Sequence, residues 1–97
     1  MSDLDPENPL HVEILAERAS AYFSTVRKME AALGALAQFE SAPGSSTLEE
    51  ARARARGQLL AEAAEQVWFF VIQREAMRLP CYPEMFAEFG VPEEVRR

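Results

Sequence analysis

Apolar residues recur along the first part of the chain at steps of three and four: Val12, Leu15, Ala19, Tyr22, Val26, Met29, Leu33 and Leu36. That spacing is a heptad-like seam, the pattern of helices packed side by side at a shallow angle. Asn8 before Pro9 reads as an N-cap followed by the first helical position. No proline interrupts from Leu10 to Glu40, so the pattern predicts a helix over 9–41. Ser41-Ala42-Pro43-Gly44-Ser45-Ser46 is the clearest break in the chain. Ser46 with Glu49, or Thr47 with Glu50, then supplies a capping box, and a second helix is predicted over 47–79, stopped by Pro80. A short helix is predicted over 83–89, with Gly90 as its stop. Residues 1–8 read as a polar lead-in, and 9–97 as one helical domain.

Two long helices joined by a short break are expected to lie antiparallel. The fold class predicted is all-α: a long helical hairpin plus a short C-terminal helix. Winding the second helix at about 100° per residue separates its apolar residues. Leu60, Ala63, Ala64, Val67, Phe70 and Val71 cluster on one face, which is expected to meet the first seam. Trp68, Ile72, Ala76 and Leu79 form a second stripe, and Phe69 falls on the polar back among Glu62, Glu65 and Gln73. The run Val67-Trp68-Phe69-Phe70-Val71-Ile72 is therefore apolar on every side, and a helix apolar all round is buried all round. Two coverings are expected for it. The C-terminal tail, with Met85, Phe86, Phe89, Val91 and Val95, covers one stripe. A second copy of the chain covers the other, through Trp68, Phe69 and Ile72, so that two hairpins make a four-helix bundle.

Charge narrows the partners. Sixteen acidic and ten basic residues give a net charge of -6. That argues against nucleic acid or an anionic membrane as the principal partner, since both select basic surfaces. The longest apolar run, six residues, is far below the roughly 20 that a spanning helix needs. A lone cysteine, Cys81, allows no intrachain disulfide, and a cytoplasmic protein is the expectation.

Candidate chemistry is sparse. Arg74 and Arg78 arrive on the Val67–Val71 stripe, with Gln73 and Glu75 beside them. Antiparallel pairing brings them toward His11, Glu13, Glu17 and Arg18 at the start of the first helix, where a structural ion-pair network is the first expectation. A cluster of Tyr22, Gln73, Arg74, Glu75 and Arg78 beside an aromatic pocket is also a candidate site for a small anion or carboxylate ligand. Arg52, Arg54 and Arg56 fan around the helix, with Glu49–Arg52 and Glu50–Arg54 spaced for helical pairing. Cys81 and the single histidine, His11, are expected at the same end of the hairpin, a weak nucleophile–base signal. No metal site is expected, because the chain has no Cys-x-x-Cys and no second histidine. Neither a glycine-rich phosphate loop nor a Gly-x-Ser-x-Gly motif is present, and no cofactor is expected.

Glu84-Met85-Phe86-Ala87-Glu88-Phe89-Gly90-Val91-Pro92 is similar to the first helix and turn of a helix-turn-helix DNA reader, which implies a DNA-binding regulator as one alternative. Its reading helix would begin at the acidic pair Glu93-Glu94. The stretch Ala63 to Glu75, with Phe89-Gly90-Val91-Pro92, resembles a family of small uncharacterised bacterial all-helical proteins, a domain of unknown function. That resemblance implies a bacterial origin and carries over no catalytic residues. The expected role is a non-enzymatic, homo-oligomeric interaction or accessory protein. Its partners are itself and a further protein, and the alternatives are ligand binding or DNA regulation.

Overall fold

The structure, a computed structural model, describes residues 8–42 and 49–96. Helix α1 runs Pro9–Ser41, α2 runs Glu49–Ala76 and α3 runs Pro83–Glu88. No strand occurs among the described residues, so the chain is all-α. The capping boxes at Ser46–Glu49 and Thr47–Glu50, and most of the lead-in, lie outside the described residues. At the start of α1 the expected cap is present: Asn8 Oδ1 accepts from the Leu10 N–H at 2.9 Å, and Pro9 occupies the first turn.

The two long helices are antiparallel. Tyr22 meets Arg74, Thr25 meets Gln73, and Glu40 meets Arg56. At the loop end Arg52 reaches across rather than along its helix. Its Nη2 donates to the Phe39 carbonyl at 3.0 Å, and its guanidinium lies 4.3 Å from the centre of the Phe39 ring. The expected Glu49–Arg52 pairing therefore gives way to a contact with a carbonyl in the last turn of α1, which also accepts from the Ala42 N–H at 3.3 Å.

Helix α2 ends three residues before the predicted Leu79. The Leu79 N–H donates to the Arg74 carbonyl at 2.8 Å and the Arg78 N–H to the Glu75 carbonyl at 3.0 Å. This is a Schellman ending with Arg78 at φ 59°, in the left-handed position that glycine usually takes. The cause lies just beyond. Pro80 disfavours a helical residue before it, so the reversal must come earlier. Helix α3 closes the same way, with the Val91 N–H on the Phe86 carbonyl at 2.9 Å and Gly90 at φ 71°.

The core holds Met29, Leu33 and Leu36 from α1, Ala63, Val67 and Phe70 from α2, and Met85, Val91 and Val95 from the tail. The two predicted seams meet from Tyr22 to Leu36 of α1, while Val12 and Leu15 have no α2 residue opposite them. Of the two apolar stripes, the tail takes the seam between the helices and leaves the Trp68–Ile72 stripe exposed. A two-helix layer has a groove along its axis, and filling that groove buries more apolar surface than lying on the outer face of one helix. Phe70 is the pivot, its ring 6.0 Å from that of Tyr22 and 5.3 Å from that of Phe89.

Candidate functional site

The large apolar side chains left exposed are Leu10, Val12, Leu15, Phe23, Trp68, Phe69, Ile72, Leu79 and Tyr82. All of them belong to 10–23 or 68–82, the open end of the hairpin. The loop end instead carries Glu40, Arg52, Arg54, Arg56 and Glu94. The exposed large apolar side chains thus gather at one end of a molecule 61 Å long.

The end-to-end asymmetry has a simple origin. With Tyr22 opposite Arg74, the last residue of α2 stands near residue 20 of α1. About ten residues of α1 therefore extend past α2, roughly 15 Å at 1.5 Å per residue. The seam continues into this overhang, but α2 has stopped. Val12 and Leu15 remain 48% and 42% exposed.

The three residues expected at an interface are all on the surface: Trp68 is 59% exposed, Phe69 43% and Ile72 39%. They do not share one face. Trp68 stands on the rim of an apolar groove of about 610 Å³, floored by Val67, Val71 and Val95 and walled by Phe86 and Arg96. Phe69 and Ile72 line a second groove of about 430 Å³ on the side away from the tail, with Thr25, Lys28, Gln66 and Gln73.

The expected ligand cluster is dispersed. Arg74 Nη1 donates to the Tyr22 hydroxyl at 2.8 Å, and Nη2 donates to the Pro80 carbonyl at 2.8 Å. Its guanidinium also lies 5.8 Å from the Phe70 ring centre. Partial burial opposes charge on Arg74, but the Tyr22 hydroxyl and the nearby Cys81 sulfur outweigh it and hold the guanidinium above the usual arginine range. Gln73 turns the other way and accepts from the Thr25 hydroxyl. Glu75 and Arg78 are exposed. Arg74 thus ties the helix end to its own turn and to α1, where an ion-pair network was expected. Antiparallel register explains the difference: the partner opposite Arg74 is Tyr22, while Glu13 and Glu17 lie further out toward the start of α1. Cys81 is a half-buried free thiol. Among the described residues no group of three or more His, Cys, Asp or Glu side chains could hold a metal ion.

At the other end Arg56 holds the tail. It pairs with Glu40 of α1 and with Glu94, whose Oε1 lies 2.7 Å from Nη2. The Arg56 hydrogen bond keeps the Glu94 carboxyl below its ordinary range. This triad was not foreseen, because its three members are joined only by the tail's return. The Glu93–Val95 segment, where a DNA-reading helix would begin, is a single turn with Val95 in the core.

Compared with family models, curated proteins and solved structures, the chain has no significant match. No described helix is long and apolar enough to cross a membrane.

Proposed function

We propose that this is a small non-enzymatic interaction protein that self-associates through its apolar open end, with a cytoplasmic location as part of the reading. The observation that carries it is the segregation of exposed apolar side chains to 10–23 and 68–82. Single surface hydrophobes are ordinary, but a group of them gathered at one end is the signature of an interface. Aromatic residues are also the types enriched at the centres of interfaces, and this end presents Phe23, Trp68, Phe69 and Tyr82. Binding a small anion at Arg74 has less support, since each of its three nitrogens already donates to Tyr22 or Pro80. DNA reading has less again, since Glu94 and Val95 are spent on Arg56 and the core.

Sedimentation velocity over a wide concentration range tests the proposal, with Phe23→Glu, at an exposed site of the apolar end, as the variant. A mass above that of one chain, reduced by Phe23→Glu while helix content is kept, supports it. A single-chain mass at every concentration for the wild-type protein overturns self-association.

A further inference from the structure

An apolar stripe of α1, exposed over much of its length, is self-complementary. At 100° per residue, Val12, Leu15, Ala19, Phe23 and Val26 fall within an arc of about 80°. Their steps are three, four, four and three, which read the same in both directions. Laid antiparallel on a second copy about a two-fold axis at Ala19, the stripe sets Val12 against the partner's Val26. The same register sets Leu15 against the partner's Phe23, and Ala19 against its own copy. Small residues at the axis let the two helices approach closely, and the larger side chains interlock on either side.

Charge agrees with this register. Glu13 and Arg27 lie on the same flank of the stripe, both are exposed, and neither forms an ion pair among the described residues. The antiparallel register brings Glu13 of each chain beside the partner's Arg27, twice over by symmetry. Val12, Leu15 and Phe23 are exposed, Ala19 is half-buried, and Val26, packed against the core on one side, is half-exposed at the edge of the stripe. An isologous contact of this kind closes on itself and leads to a dimer rather than a filament.

The geometry points to a homodimer built on antiparallel pairing of the two α1 helices over residues 12–26, with Ala19 on the two-fold axis. This rests on the self-association proposed above and adds its occupant, register and symmetry. It leaves Trp68, Phe69 and Ile72 outside the central contact, available to flank it or to take another protein.

The test is site-specific cross-linking in a Cys81→Ser background. Ala19→Cys places identical thiols across the axis, within the Cα separation of about 4.4–6.8 Å that a disulfide requires. Ala35→Cys, exposed on α1 far from the axis, is the control. Mild oxidation is expected to yield covalent dimer from Ala19→Cys much faster than from Ala35→Cys. Glu13→Arg and Arg27→Glu are each expected to weaken the dimer several-fold, and the double swap to restore it. A dimer in solution without preferential cross-linking of the Ala19→Cys variant or charge-swap rescue overturns this register and leaves self-association standing. A wild-type monomer at all concentrations overturns both. Circular dichroism of each variant separates loss of association from loss of fold.

Discussion

Arg56 and Glu94 are joined by two hydrogen bonds, Nη2 to Oε1 at 2.7 Å and Nη1 to Oε2 at 3.4 Å, and the same guanidinium holds Glu40 on α1. One arginine on α2 therefore links the loop end of α1 to the returning tail. The hydrogen bond from Arg56 lowers the Glu94 carboxyl below its ordinary value. A carboxyl depressed in the folded state contributes stability above its unfolded pKa and loses that contribution as pH falls through the folded value. The tail is therefore expected to loosen in acid, below the ordinary glutamate range near pH 4. Amide exchange at Val91 and Val95 measured against pH reads this, and Glu94→Gln should remove most of the pH dependence. The pair is exposed, so added salt should weaken it.

Phe70→Ala removes the ring between Tyr22 and Phe89 from a fully buried site. A loss of about 3–5 kcal/mol is expected, from lost transfer energy and the cavity left behind. Chemical denaturation measures it. A loss below about 1 kcal/mol would mean that the tail repacks freely and is not seated on the seam.

Tyr22→Phe keeps the ring against Phe70 and deletes the hydroxyl that accepts from Arg74. The expected cost is about 0.5–1.5 kcal/mol, the ordinary net value of one hydrogen bond, with helix content unchanged. A loss several times larger would assign Arg74 a greater part in fixing the open end than its contacts suggest.

Arg78 and Gly90 occupy equivalent left-handed positions in two Schellman endings, but only one is glycine. A left-handed conformation costs an ordinary L-residue about 1–2 kcal/mol, of which glycine's greater unfolded-state entropy returns about 0.5–1. Arg78→Gly is therefore expected to raise stability by roughly 0.5 kcal/mol. Gly90→Ala should lower it by a similar amount, roughly 0.5 kcal/mol, through the backbone alone, since a Cβ at Gly90 meets nothing within 4 Å. Thermal unfolding of the two variants should move in opposite directions.

Trp68 is the only tryptophan and is 59% exposed, so the fluorescence of a dilute sample should resemble that of a solvated indole and be readily quenched by acrylamide. Coverage of the open end by a partner that reaches Trp68 should shift the emission to the blue and reduce quenching. A blue, poorly quenched signal at the lowest concentrations would show that Trp68 is covered within one chain.

Much of the architecture was legible in the order of residues. The helix start at Asn8-Pro9, the antiparallel pairing and the buried face of Ala63, Val67 and Phe70 all follow from local rules: capping, proline geometry and a period of 3.6. Helices α1 and α3 end close to where the residue pattern puts them, whereas α2 stops early because Arg78 takes a backbone conformation its residue type does not advertise.

The remaining features depend on distance through space. The sequence places Tyr22 near a pocket, but only the register against Arg74 shows that it satisfies that arginine. Glu40, Arg56 and Glu94 are spread over more than half the sequence, and no local pattern links them. By itself the sequence determined that the chain is helical, where its hairpin folds and which faces are apolar, because those depend on neighbours within a turn or two. Only the tertiary structure decided which apolar face the tail takes. The groove between two helices offers more buried area than the outside of one, so the tail fills the seam and leaves Trp68, Phe69 and Ile72 exposed.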